Sequence, residues 1–156
     1  ISDGYLRYDD AYHICNQWNG LFKFEIPAPS NKKLESAILR IRKYNQPYHI
    51  TISAHRIIGE WSESQTGNTV SLSFDNTAID TITTTNTSDN YQELDITPLV
   101  NGWIAGSYTN QGVAVMSDNS CSSSYTYFHH REDGSSYEPI LRLRFSPVCQ
   151  TNGQCQ

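Results

Sequence analysis

Four arginines occupy alternate positions in two short apolar segments, Ala37-Ile38-Leu39-Arg40-Ile41-Arg42 and Leu141-Arg142-Leu143-Arg144-Phe145. Alternation with period two is the signature of a half-buried strand, so Leu39, Ile41, Leu141 and Leu143 on one side imply Arg40, Arg42, Arg142 and Arg144 on the other. A third segment repeats the pattern, with Ile50, Ile52 and Ala54 alternating with His49, Thr51, Ser53 and His55. If the three strands are neighbours in one sheet, Arg40, Arg42, His49, His55, Arg142 and Arg144 form a cationic outer face, flanked by Tyr44 and Tyr48. Guanidinium groups pair in bidentate fashion with carboxylates or sulfates, and tyrosine faces stack on pyranose rings. Such a face would hold a uronate or sulfated glycan. The competing reading is an ordinary solvated sheet face whose arginines and histidines pair with acidic neighbours.

Other chemistry finds less support. Asp10, His13 and the Ser-rich loops contain the residue types of a hydrolase triad, but no G-x-S-x-G elbow is present and no His lies beside a nucleophile in a recognisable context. Glu60 and Glu63 could act as a carboxylate pair only across a cleft that nothing in the sequence builds, and Glu63 is better suited to bonding backbone donors in its turn. His129 and His130 are adjacent, so on a strand they face opposite ways and cannot chelate one ion together. No cofactor is required. Asp3, Asp9 and Asp10 are candidate oxygen ligands for a structural calcium, set against the reading that they are simply solvated. Trp103 and Trp61 read as core residues, whereas Trp18 lies in a polar loop and is open to either a core or a sugar-stacking role.

The elements that must position these residues are β-strands. Of the 156 residues, 37% are apolar and only 17% charged, and Ser, Thr, Asn, Gln and Tyr make up the difference, a mixture that favours polar sheet faces over helices. Alternation recurs in Leu21-Phe22-Lys23-Phe24-Glu25-Ile26, which ends at Pro27, and in Val70-Ser71-Leu72-Ser73-Phe74. Gly112-Val113-Ala114-Val115-Met116 reads as a buried strand after a turn at Asn110-Gln111. One segment reads helical, over 97–105: Thr97 as N-cap, Pro98 at the first helical position, a stripe of Leu99, Val100 and Trp103, and Gly106 as the stop. Eight to ten short strands with one short helix indicate an all-β, two-sheet sandwich of jelly-roll type.

The sequence order then becomes informative. Phe22-Lys23-Phe24-Glu25-Ile26, Leu34-Glu35-Ser36-Ala37-Ile38-Leu39-Arg40-Ile41, Trp61-Ser62-Glu63 and Leu94-Asp95-Ile96-Thr97-Pro98-Leu99-Val100-Asn101-Gly102-Trp103 follow one another. Asn110-Gln111-Gly112-Val113-Ala114-Val115, the stretch from Phe128 to Glu132, and Glu138-Pro139-Ile140-Leu141-Arg142-Leu143 complete the series. In this order they resemble the motifs of DNRLRE domains, the group of carbohydrate-binding module family 96, over about residues 20–145. The departures are His129-His130-Arg131 where a Ser is usual, a missing "TW" after the W-S-E turn, and a short N-terminal strand. The resemblance implies a secreted jelly roll serving as an accessory or surface domain, in some cases attached to alginate lyases.

Charge and cysteines bound the setting. The net charge of −5 argues against nucleic-acid partners, although seven of the eleven Lys and Arg residues fall between Lys23 and Arg56. No apolar run approaches the roughly 18 residues needed for insertion into a membrane. The first residues lack the basic and apolar regions of a signal peptide and read as a mature or trimmed start. Cys15, Cys121, Cys149 and Cys155 fit disulfides better than zinc, since they include no CxxC pair. Three pairings are possible, of which Cys15–Cys121 with Cys149–Cys155 is favoured over the others; four free thiols are the competing reading. Asn86-Thr87-Ser88 is a glycosylation acceptor sequence. Residues 1–148 are expected to form the domain, and 149–156 a Cys-bearing tail or the start of a following module. The expectation is an extracellular, secreted or cell-surface domain that binds an anionic polysaccharide without cleaving it. The alternative is a structural brick of a fibre, sheath or matrix whose partners are copies or other domains of the same protein.

Overall fold

A computed structural model describes residues 2–7, 18–27, 29–43, 49–62, 73–85, 91–117, 128 and 138–148, with the backbone alone for 2–7 and 18–19. Among the described residues, eight strands and one helix follow in order. They are β1 (Ser2–Arg7), β2 (Trp18–Lys23), β3 (Lys32–Arg42), β4 (Thr51–Arg56), β5 (Asp80–Thr83), β6 (Tyr91–Asp95), α1 (Thr97–Ile104), β7 (Val113–Ser117) and β8 (Ile140–Pro147). The strands form two antiparallel sheets, a five-stranded one in the order β1-β2-β7-β4-β5 and a three-stranded one in the order β6-β3-β8. Strands distant in sequence are neighbours in both sheets, the connectivity of a jelly-roll-type sandwich.

Alternation explains which residues fill the space between the sheets. From β3 come Leu34, Ala37, Leu39 and Ile41, from β4 Ile52 and Ala54, from β6 Leu94, and from β7 Val113 and Val115, all buried. Phe22, Phe24 and Ile50 join them, and Leu141, Leu143 and Phe145 of β8 pack against the same core while half-buried. One irregularity breaks the alternation of β3. A bulge between Leu34 and Ser36 in the pairing with β8 restores Ala37 to the inner side, so Leu34 and Ala37 are both buried although three residues apart.

The helix closes one end of the sandwich through Leu99, Val100 and Trp103. Thr97 does not cap it. Ile96 holds the N-cap position without a side-chain bond, and Thr97 Oγ1 instead accepts the Ala37 amide at 2.8 Å. That amide belongs to the part of β3 that runs beyond the end of β6, whose pairing with β3 begins at Ile38 and Asp95. Asp95 Oδ1 accepts the Thr97 amide at 2.9 Å in turn. The hydroxyl therefore completes the sheet ladder rather than the helix. At the other end Gly106, with φ +70, sits in the left-handed region that stops the helix.

The turn before β7 is built by Asn110. Its Nδ2 donates to Phe24 O at 2.8 Å, and its Oδ1 accepts the Gly112 amide at 3.1 Å. Gly112 has φ +95, and a Cβ there would lie 2.4 Å from Phe22 O. The Asn-x-Gly spacing is thus dictated by a close approach of β7 to β2.

A second, smaller core lies on the far side of the five-stranded sheet, where Leu21, Ile57 and Ala114 are buried and Trp61 and Met116 pack on them. Trp61 Nε1 donates to Gln111 O at 2.6 Å, which ties the segment after β4 down onto that face. Trp61 and Trp103 are both packing residues. The side chain of Trp18 lies outside those described. Among the described residues, no helix is long and apolar enough to cross a membrane.

Candidate functional site

The two sheets divide the six basic residues that alternation assigns to an outer face. Arg40 and Arg42 lie on β3 and Arg142 and Arg144 on β8, and these strands are direct neighbours. His49 precedes β4 and His55 lies within it, in the other sheet. The histidines therefore share no face with the arginines. Alternation gives the face of a strand but not its sheet, which is why the sequence grouped them.

His55 also departs from the expected exposure: it is 8% exposed. The sheet face to which it points is covered by Phe74, edge-on at 5.9 Å between ring centroids. Its Nδ1 donates to Asp75 O at 2.8 Å. In the neutral ring Nε2 must then accept, and Ser53 Oγ supplies the proton at 2.8 Å. A hydroxyl, an imidazole and an orienting carbonyl in this order are the hydrogen-bond sequence of an activated nucleophile. Here the order satisfies both nitrogens of a buried ring. His49 is exposed, and its Nδ1 donates to Thr84 O at 2.7 Å.

The outer face of the three-stranded sheet is laid out by register. Across β6, β3 and β8, successive rows are Tyr91 beside Arg42, then Glu93–Arg40–Ile140, then Asp95–Ile38–Arg142, then Ser36–Arg144. The arginines occupy one position in each of four consecutive rows, two on β3 followed by two on β8. With two residues of strand per row, this basic track runs roughly 20 Å along the strand direction. Carboxylates flank it on the β6 side, and Ile140, exposed on β8, lies on the other.

The guanidinium groups are held in graded ways. Arg40 stacks on Tyr91, its Cζ 4.2 Å from the ring centroid, and Arg42 lies 5.9 Å from the same centroid. Arg40 Nε donates to Glu93 Oε1 at 2.9 Å. Arg142 Nη2 is 3.8 Å from the same oxygen, beyond hydrogen-bond length, and its side chain is 56% exposed. Arg144 is exposed and forms no ion pair with the described residues. The track is thus ordered and partly neutralised at its middle, and open at its β8 end.

A buried basic residue continues β3. Lys43 is fully buried, bridges Phe128 and donates from Nζ to Thr85 O at 2.9 Å. Burial holds its ammonium below the ordinary lysine range by stripping it of water. Gln92 and Thr85 bond each other reciprocally beside it, at 3.0 and 3.2 Å. A further ion pair, Arg56 to Asp75 at 3.2 Å, lies in the other sheet, and Arg56 stacks on Tyr108 at 4.2 Å. The backbone amide of Thr77, before the Arg56 side chain, keeps the Asp75 carboxyl below its usual range.

Several sequence-derived candidates fall outside what is described. Tyr44, Tyr48, Asp9, Asp10, Asn86, the four cysteines and the 149–156 tail lie outside the described residues, as does the side chain of Asp3. Among the described residues no group of three or more His, Cys, Asp or Glu could hold a metal ion. In the other direction, Tyr91 and Glu93 join the arginine face only through the pairing of β6 with β3. The signal was present in the period-two spacing of Tyr91, Glu93 and Asp95, but nothing in the sequence pairs that strand with β3.

The outer face of the β6-β3-β8 sheet thus carries an arginine-tyrosine array on an acidic β-sandwich. The model of carbohydrate-binding module family 96 matches residues 6–145, and the chain belongs to that family, whose members are typically non-catalytic. No curated protein matches the chain at a significant level.

Proposed function

We propose that this carbohydrate-binding module holds an anionic polysaccharide, an alginate-like uronate polymer or a sulfated glycan, along the outer face of the β6-β3-β8 sheet, without cleaving it. The observation that carries the reading is the basic track: one arginine in each of four successive rows, aligned with the strands. A polyanionic chain presents carboxylates or sulfates repeatedly along its length, and a linear row of guanidiniums meets them repeatedly. Arg142 and Arg144 offer exposed, weakly engaged donors, and the exposed Ile140 offers apolar surface beside them. An extracellular or cell-surface setting suits such a ligand.

Affinity electrophoresis in gels containing alginate, pectate or a sulfated polymer tests the proposal. Mobility should fall in at least one anionic gel, recover with added salt, and recover in the Arg40→Ala/Arg142→Ala double variant. Unchanged mobility in every polymer, with self-association by light scattering, would instead favour a structural brick of a fibre or matrix.

A further inference from the structure

The basic track has a carboxylate at its joint. Where it steps from β3 to β8, the two nearest guanidiniums, those of Arg40 and Arg142, both approach one oxygen, Glu93 Oε1, at 2.9 and 3.8 Å. Glu93 projects from the neighbouring strand β6, directly opposite Arg40 in register, and its side chain is 49% exposed. It therefore stands at the surface where a ligand's own carboxylate or sulfate would seek the same donors.

We propose that Glu93 is an internal counter-anion of this site: it holds Arg40 in place while competing with the ligand's acidic groups, and so sets the affinity. The inference rests on the polysaccharide reading above. Its two effects separate by chemistry. Holding Arg40 requires an acceptor oxygen near Nε, which an amide still supplies, though more weakly than a carboxylate. Competition requires the negative charge. Arg40 has a second donor edge, its two Nη groups, and its guanidinium lies over the Tyr91 ring, Cζ 4.2 Å from the centroid. A ligand anion binding there sits a few ångströms from Glu93 and is repelled by it. At such a separation the repulsion of two unit charges is worth about a fivefold change in a binding constant even at the dielectric of water, and more near a protein surface.

Glu93→Gln keeps the acceptor and removes the charge. Glu93→Ala removes both. Dissociation constants for a polyuronate oligomer and for a sulfated oligomer, measured by calorimetry on the whole domain in low salt, read the difference. Glu93→Gln should bind at least about fivefold more tightly than the parent domain, with the advantage shrinking as salt is raised. Glu93→Ala should gain less than Glu93→Gln, because Arg40 loses its anchor. Equal or weaker binding by Glu93→Gln, while the parent domain still binds, would overturn the role of Glu93 and leave the polysaccharide reading standing. Absence of binding by both the parent and Glu93→Gln would overturn the polysaccharide reading itself, and this inference with it.

Discussion

Replacing Gly112 by Ala tests whether the Asn-x-Gly turn is a packing constraint between β2 and β7. Two costs are expected. At φ +95 an L-residue is strained, by about 1 kcal/mol or somewhat more relative to glycine. The added Cβ would also lie 2.4 Å from Phe22 O and 3.2 Å from Phe22 C. The obstacle is backbone in a neighbouring strand and cannot rotate away, so β2 and β7 must separate where Phe22 pairs with Val113. Overpacking of that kind costs roughly 1–3 kcal/mol. Gly106 provides the control, since its φ is +70 and a Cβ there meets nothing within 4 Å. Gly106→Ala should therefore cost only the conformational term, about 1 kcal/mol. Urea unfolding followed by tryptophan fluorescence should place the Gly112→Ala midpoint roughly 1 M below that of Gly106→Ala, taking about 2 kcal/mol between them and a typical denaturant slope. Equal midpoints would refute the reasoning, because they would show that the close approach to Phe22 carries no cost.

Further outcomes follow from individual side chains. Thr97→Val preserves shape but strands the part-buried Ala37 amide, and should lower unfolding stability by about 1–3 kcal/mol in chemical denaturation, with helix content by circular dichroism unchanged. A loss of helix signal would mean that Thr97 acts as a cap after all. Lys43, whose folded pKa is lowered by burial from 10.5, binds fewer protons in the folded than in the unfolded state in the window just below that value. Stability should accordingly rise as pH climbs through that window, and the rise should be absent from the pH series of Lys43→Met. A parent domain whose stability is flat or falling there would contradict the desolvation argument.

The fold was legible in the sequence wherever one face of a strand is greasy and the other wet. Leu39, Ile41, Ile52, Val113 and Val115 are buried as alternation requires, and the Pro98-to-Gly106 punctuation bounds the helix closely. Alternation named no strand at β5 or β6, because Asp80-Thr81-Ile82-Thr83 and Tyr91-Gln92-Glu93-Leu94-Asp95 carry too few apolar residues to stand out. It also misread His55. A strand residue opposite the main core reads as solvated, yet the segment from Ile57 to Trp61 and the stretch around Phe74 fold back over that face and build a second core.

The arginine face was legible in part for the same reason. Period two fixes which way Arg40, Arg42, Arg142 and Arg144 point, while strand adjacency is a tertiary property that local sequence does not encode. The pairing of β3 with β8 joins residues more than a hundred positions apart, as in Leu34 opposite Phe145. It assembles the four arginines into one track, and the placement of β4 in the opposite sheet removes the histidines from it. Glu93 shows the same limit from the other side, since its importance exists only once β6 lies beside β3.

The proposed seating of a polyanion along the β3–β8 face is reported directly by the side-chain Nε–Hε resonances of arginine in a ¹⁵N-labelled sample. Titration with a polyuronate oligomer should shift the signals of Arg40, Arg142 and Arg144 together, with Arg56, which is stacked on Tyr108 in the other sheet, left in place. Shifts confined to Arg56 and the backbone of β4, with the β3 and β8 arginines unmoved, would contradict it.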